Sequence, residues 1–190
     1  MDRDWQPEID ELRLLEAAAR EMGGAEKVER QHHFGKLTVR ERIDELVDPG
    51  SFREIGAIAG KQVLQADGTR RFQPANFVMG RAALDGRPIV VGGDDFTVRG
   101  GASDASIAAK QVMAEQLANE YRIPIVRLVD GTGGGGSIKS LEESGYTYLP
   151  ANPGWEWVDA NLATGPVAAL ALGSVGGLGA GVVVASHYLR

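Results

Sequence analysis

The chain has 190 residues, which suits one domain and does not require two. Hydrophobic residues make up 43% and charged residues 24%, so the composition is that of a globular protein, while the net charge of −6 disfavours a nucleic-acid-binding protein because phosphate binding needs a basic surface. The chain has no cysteine, which excludes disulfides, thiol catalysis and thiolate metal sites.

Residues 1–24 predict an amphipathic helix in front of a main domain over residues 25–190. Apolar residues recur at helical spacing over residues 8–21, and Gly23-Gly24 ends the pattern. The acidic start of the chain lacks the basic and apolar segments of a signal peptide, so we expect a cytoplasmic protein.

The next element is a helix over residues 38–47. Thr38 is followed three residues later by Glu41, the pattern of a capping box, and Asp48-Pro49-Gly50 is a turn signal that ends the helix. His32 and His33 precede it. Adjacent histidines face different ways, so we interpret them as solvated residues and expect no metal bound by this chain.

Strands and helices then alternate along the chain. We expect two strands at 77–79 and 89–91 joined by a hairpin turn at Asp85-Gly86, then a helix over 103–121 and a strand over 125–129. A run of glycines at 131–136, a helix over 158–164, a strand over 167–172 and a glycine loop over 173–181 follow. This alternation predicts an α/β domain with much parallel character.

The apolar end of the chain raises the alternative of a membrane helix. No charged residue lies between Asp159 and Arg190, and glycines recur there at four-residue spacing, as in membrane helix-packing motifs. Pro166 and the closely spaced glycines oppose such a helix, so we expect a buried strand and a glycine turn and no membrane contact.

Backbone amides are better candidates for catalysis than side chains. The sequence contains neither a phosphate-binding loop nor a nucleophile elbow, but glycines cluster at 100–101, 131–136 and 173–181. Glycine lets a substrate approach the backbone, and amides at a helix N-terminus can stabilise an oxyanion. Tight packing turns are the alternative interpretation of each cluster.

Four motifs in order resemble the carboxyltransferase (beta) subunits of biotin-dependent acyl-CoA carboxylases, such as propionyl-CoA and methylcrotonyl-CoA carboxylase. The first is Gly35-Lys36-Leu37-Thr38-Val39-Arg40-Glu41-Arg42-Ile43, and the second is Asp95-Phe96-Thr97-Val98-Arg99-Gly100-Gly101-Ala102-Ser103. The third and fourth are the glycine segments at 130–134 and 173–181.

The resemblance implies a crotonase-like fold of stacked β-β-α units, here truncated, because the family carries a second such domain. It implies transfer of a carboxyl group from biotin, carboxylated elsewhere and held on a carrier protein, to the α-carbon of an acyl-CoA. A biotin carboxylase and a biotin carboxyl carrier subunit are the implied partners, with a homo-oligomer for the full-length protein. The fragment alone is expected to be inactive.

The resemblance also implies the site residues. Backbone amides would stabilise the oxyanion at Gly133, Gly134, Leu178, Gly179 and Ala180. The substrate would be bound by Phe96, Thr97, Val98, Arg99, Gly100, Gly101, Ala102 and Ser103.

Three other functions stay open from the sequence. A decarboxylase of the same fold shares these motifs. A crotonase-type hydratase or isomerase would need carboxylates over the thioester, for which Glu142 and Glu143 are the nearby candidates. A non-catalytic assembly domain would keep the fold without turnover.

Overall fold

The computed structural model describes residues 4–64, 67–101, 107–131, 141–142, 145 and 154–190. Its helices are α1 (Gln6–Arg20), α2 (Ala25–His33), α3 (Val39–Leu46), α4 (Ala108–Tyr121), α5 (Trp155–Thr164) and α6 (Leu178–Val184). Its strands are β1 (Arg53–Glu54), β2 (Gly60–Leu64), β3 (Arg70–Pro74), β4 (Phe77–Leu84), β5 (Arg87–Asp94), β6 (Ile125–Val129), β7 (Val167–Ala171) and β8 (Tyr188–Leu189).

Six strands form one sheet in the order β1-β4-β5-β6-β7-β8. β1, β4 and β5 pair antiparallel, whereas β5, β6, β7 and β8 run parallel, with Val91 opposite Val126 and Ile125 opposite Val167. β2 and β3 form a separate hairpin. The predicted α/β domain with a parallel sheet is confirmed.

The sheet is buried on both faces because helices cover each side. Val91 of β5 packs in one cluster with Ile43 of α3, while its neighbour Val90 packs in a second cluster with Ala114 of α4. Successive strand residues point to opposite faces, so a strand buried on both sides needs an unbroken apolar run. Each fully buried valine contributes roughly 1.5–3 kcal/mol.

Two local signals are confirmed in detail. Thr38 caps α3 by accepting the N–H of Glu41, and the Glu41 carboxylate accepts the N–H of Thr38 at 2.7 Å, which completes the capping box. Asp85 and Gly86 have φ values of 51° and 74°, which are the left-handed pair that a tight hairpin turn requires.

Other boundaries differ from the prediction. α2 and the β2–β3 hairpin were not predicted, and α5 begins at Trp155. The expected loop over 173–181 is wrong in its second half, because α6 begins at Leu178. None of the helices in the described ranges is long and apolar enough to span a membrane.

A buried ion pair fixes α6 against the sheet. Arg127 of β6 donates two hydrogen bonds of 2.8 Å to the carboxylate of Glu115 on α4. The same guanidinium donates to the carbonyls of Val182 and Ala185, at 3.1 and 2.5 Å, so it caps the C-terminal end of α6. Asn161 of α5 donates to the Glu115 carboxylate at 2.8 Å, which joins a fourth element to this network.

Candidate functional site at the carboxyl edge of the parallel strands

Three parallel strands end at the same edge of the sheet and lead into the segments that the sequence singled out. Asp94 ends β5, Asp130 follows β6, and Gly173 follows β7. Because carboxyl ends of neighbouring parallel strands lie side by side, this edge is where loops of an α/β sheet form a binding site. The described ends of the three glycine segments, at Gly101, Gly131 and Gly173, therefore lie close together.

The segment after β5 is held by its own side chains. Asp95 is 1% exposed, and its carboxylate accepts the N–H of Thr97 at 2.9 Å and the hydroxyl of Thr97 at 2.6 Å. Burial raises the pKa of Asp95, and the bonds from Thr97 oppose that shift. The N–H of Gly23 donates to the hydroxyl oxygen of Thr97 at 2.9 Å. This bond ties the segment after the N-terminal helix to this turn.

The backbone then turns through three left-handed residues. Arg99, Gly100 and Gly101 have φ values of 52°, 63° and 68°. A Cβ at Gly101 would lie 2.9 Å from the carbonyl oxygen of Asp130, so only glycine lets this turn pack against the end of β6. Arg99 holds the same conformation with a side chain, which is strain of the kind concentrated at functional sites.

Asp130 lies at the centre of the edge and is fully buried. Arg42 of α3 places a guanidinium nitrogen 2.7 Å from its carboxylate, and Lys36 places its ammonium at 3.4 Å. Gln31 of α2 donates to it at 3.5 Å. A Cβ at Gly173 would lie 1.8 Å from the Asp130 carboxylate, so glycine is required where the third segment begins. We call Gln31, Lys36, Arg42 and Asp130 the Asp130 cluster.

Asp94 adds a second carboxylate beside this cluster. Its carboxylate accepts the N–H of Asp130 at 3.1 Å. Burial, helped by the charges of Asp130 and Asp95, raises the pKa of Asp94 to about 7, while the Asp130 N–H and Arg42 oppose the shift. A carboxyl group with a raised pKa therefore lies at the base of two candidate loops.

The fourth motif supplies the start of α6. Gly177 precedes the helix with φ 56°, and the N–H groups of Leu178, Gly179 and Ala180 occupy its first turn, where helical N–H groups have no acceptor within the helix. A Cβ at Gly179 would lie 3.1 Å from Val175 and 3.6 Å from the carbonyl of Gly131. The first turn of α6 therefore adjoins the end of β6.

The predicted site residues are brought together only in part. Phe96 is half-buried under the Lys36 ammonium, which lies 5.3 Å from its ring centroid. Thr97 and Val98 are buried, Arg99 is exposed, and Gly100 and Gly101 are half-buried. Gly133, Gly134, Ala102 and Ser103 lie outside the described residues. Their assignment stays a prediction.

The first motif serves the fold, and sequence reasoning missed its role. Val39 and Ile43 fill the core, and Arg40 binds the Glu54 carboxylate through two nitrogens at 2.7 and 3.2 Å. Lys36 and Arg42 instead reach Asp130. The sequence shows that this motif is rich in charge. It does not show that Lys36 and Arg42 pair with Asp130, because Asp130 lies about 90 residues further along the chain.

The histidines serve structural roles. His32 bonds the Glu41 carboxylate at 2.9 Å, and this bond and the N–H of Thr38 lower the pKa of Glu41 to about 2. His187 accepts the N–H of Val167. Among the residues that the structure describes, no group of three or more His, Asp or Glu side chains is placed to hold a metal ion. Glu142 is exposed, and Glu143 lies outside the described residues.

Comparison with known proteins agrees with this geometry. Residues 30–148 match the carboxyl transferase domain. The chain belongs to the carboxyl transferase domain family. It is 37% identical over 141 residues to a putative propionyl-CoA carboxylase beta chain of Bacillus subtilis, covering 74% of this chain and 27% of that protein. It is 34% identical over 129 residues to the methylmalonyl-CoA decarboxylase subunit alpha of Veillonella parvula, covering 67% of this chain and 25% of that protein.

Solved structures of carboxyl transferases share the fold. The transcarboxylase 12S structure with methylmalonyl-coenzyme A bound superposes with a TM-score of 0.74 at 26% identity, covering all of this chain and 36% of that chain. The predicted crotonase-like fold is confirmed. This chain spans about a quarter of the length of the two curated relatives named above.

Proposed function

We propose that this chain is the acyl-CoA-binding part of a cytoplasmic, biotin-dependent carboxyltransferase. The reaction moves a carboxyl group to the α-carbon of an acyl-CoA of the acetyl, propionyl or methylcrotonyl type. The main support is the convergence of three glycine segments at one sheet edge, where Gly101 packs on Asp130 and Gly179 faces Gly131. Glycine at these positions lets a ligand approach the backbone closely.

The chemistry fits backbone donors. The α-carbon loses a proton, a carbon–carbon bond forms to the carboxyl group, and the negative charge passes through the thioester oxygen as an enolate. The N–H groups of Leu178, Gly179 and Ala180, with those of Gly133 and Gly134, would stabilise that oxygen. One such donor typically contributes about 2.7–4 kcal/mol to the transition state. Carboxybiotin on a carrier protein would supply the carboxyl group and take up the α-proton.

The partners follow from the same proposal. A biotin carboxylase and a biotin carboxyl carrier subunit would deliver the carboxyl group, and the complete protein would form a homo-oligomer. The support is the similarity to propionyl-CoA carboxylase beta chains and to the 12S transcarboxylase, whose structure was described as a hexamer assembly.

A decarboxylase is the second candidate, and the similarity to methylmalonyl-CoA decarboxylase subunits favours it. Loss of a carboxyl group from a malonyl-type thioester passes through the same enolate. The same amides would therefore serve either direction, and the acceptor of the carboxyl group distinguishes the two.

A labelling experiment tests the proposal. The complete carboxyltransferase subunit that contains this chain is combined with biotin carboxylase, biotinylated carrier protein, ATP, labelled bicarbonate and propionyl-CoA, and acid-stable label in the acyl-CoA is counted. We expect label only when carrier and acyl-CoA are both present. Loss of a carboxyl group from methylmalonyl-CoA without any labelling would favour the decarboxylase, and the absence of both reactions would contradict a carboxyl transfer function.

A further inference from the structure

A basic cleft lies beside the segment 97–99, away from the Asp130 cluster. It has a volume of about 230 Å³ and opens between the α1–α2 junction and the β2–β3 hairpin. Lys27, Arg71 and Arg99 line it, and none of the described lining residues is acidic. Because the chain carries a net charge of −6, this concentration of positive charge is local.

The N-terminus of α2 adds to the positive potential. Gly24 precedes the helix without a side-chain cap, and Lys27 lies in the first turn. An Arg71 guanidinium nitrogen lies 3.5 Å from the position that a Cβ on Gly24 would take. The positive end of a helix dipole disfavours nearby cations. Lys27 and Arg71 therefore lie where the dipole makes a positive charge unfavourable. Glu26 shares this turn and is exposed, as Lys27 and Arg71 are, but it does not line the cleft.

Neither Lys27 nor Arg71 has an ion pair or side-chain hydrogen bond to another described residue. Each of the two cations is therefore available to an anion that enters the cleft. Such an anion would accept charge-assisted hydrogen bonds from both side chains.

The remaining wall of the cleft is mixed: Val63, Phe72, Pro74 and Val98 supply apolar surface, and Gln73 and Thr97 supply polar groups. The volume is below the roughly 300–1,000 Å³ of sites that enclose a whole small molecule. The cleft thus suits one charged group and a flat apolar portion of a larger ligand.

We propose that this cleft binds the phosphate group of a phosphorylated ligand through Lys27 and Arg71. The phosphate belongs either to the CoA portion of the substrate or to a free phosphate compound that acts as an effector. The assignment to CoA rests on the proposed function, whereas the phosphate site does not depend on it.

Isothermal titration of the purified chain with CoA, dephospho-CoA and inorganic pyrophosphate tests the proposal. We expect Arg71→Ala and Lys27→Ala each to weaken CoA binding about tenfold, the typical effect of losing one charge-assisted hydrogen bond. Arg71→Lys should restore part of the affinity. Arg70→Ala is the matched control, because successive residues of β3 point to opposite faces. Thermal melting verifies that each variant is folded.

The outcomes separate the cleft from the proposed function. Equal CoA binding by wild type and the Arg71→Ala and Lys27→Ala variants would overturn the cleft and leave the proposed function standing. Pyrophosphate binding that depends on Arg71, without CoA binding, would support the phosphate cleft and count against an acyl-CoA substrate. If dephospho-CoA binds as CoA does but loses affinity in the Arg71→Ala variant, the cleft holds the diphosphate and not the 3′-phosphate. Absence of binding to all three ligands would overturn the proposal.

Discussion

The guanidinium of Arg42 lies 2.7 Å from the carboxylate of Asp130, and both side chains are largely buried. Arg42 belongs to the helix that covers one face of the sheet, whereas Asp130 ends a central strand. This pair therefore joins the N-terminal helices to the edge where the candidate loops begin.

Replacing Arg42 should destabilise the protein. Arg42→Leu would leave the buried Asp130 with only Lys36 and Gln31, and breaking a buried pair costs about 3–5 kcal/mol. We expect a loss near 3 kcal/mol in denaturant unfolding, because Lys36 remains. Arg13→Leu is the control, since its pair with Asp10 is exposed and should contribute less than about 1 kcal/mol. Equal stability of the two variants would show that the Arg42 pair contributes nothing.

Asp94 should make stability fall as the pH rises. Its pKa is near 3.8 in the unfolded chain and is raised by burial to about 7 in the fold, so the folded protein binds this proton more tightly. The contribution is fully present below about pH 4 and is lost as the pH rises through 7. Asp94→Asn keeps an oxygen acceptor for the Asp130 N–H and removes the titration.

We expect the Asp94→Asn variant to gain stability relative to wild type as the pH rises from about 4 to about 7, by about 4 kcal/mol in all at 1.36 kcal/mol per pH unit. Unfolding by urea at several pH values measures the difference. Parallel stability profiles for the two proteins would mean that Asp94 titrates alike in the folded and unfolded states.

Gly179 tests the oxyanion role of α6. Gly179 lies in the first turn of a helix rather than in a left-handed loop, so the argument rests on space. Gly179→Val would crowd Val175 and Gly131. We expect kcat of the assembled carboxyltransferase to fall about 10²–10³-fold.

Gly176→Ala is the control for Gly179, because a Cβ there would meet nothing within 4 Å. Thermal unfolding is measured on the same samples. A fall in activity that matches the unfolded fraction would favour a packing role for Gly179 instead of an oxyanion role.

Truncation of the N-terminus tests where the main domain begins. The sequence places the boundary after residue 24, yet Met22 packs against the core and Gly23 bonds Thr97. We expect removal of residues 1–18 to shift the melting temperature little and removal of residues 1–24 to lower it by several degrees, because Ala19 is buried as well. Identical melting of both truncated chains would place residues 19–24 outside the folding unit.

The sequence predicted those elements whose signals are local. The capping box of Thr38 and Glu41 and the turn at Asp85-Gly86 each act within a few residues, and both were predicted correctly. α2 was missed because its one buried residue is Gln31, whose side chain is held by Leu37 and Asp130. No apolar periodicity marks such a helix.

The candidate site also combines features with local sequence signals and features that depend on distant residues. Glycine patterns and the resemblance identified the segments that meet at the sheet edge. The Asp130 cluster depends on pairs far apart in the chain, which no local pattern reveals. The start of α6 inside an expected glycine loop was missed because glycine is a poor helix former and packing decides the outcome.

The anchoring of α6 by Arg127 has a consequence for the opposite end of that helix. The guanidinium holds the carbonyls of Val182 and Ala185, and a Cβ at Gly181 would lie 3.0 Å from the Trp155 ring. These contacts oppose sliding of the helix along its axis, so they help to position its first-turn amides. Under the proposed function, the distance between the substrate and these N–H groups would depend on core residues such as Arg127. Substitutions of such residues would change this distance without any contact to the substrate.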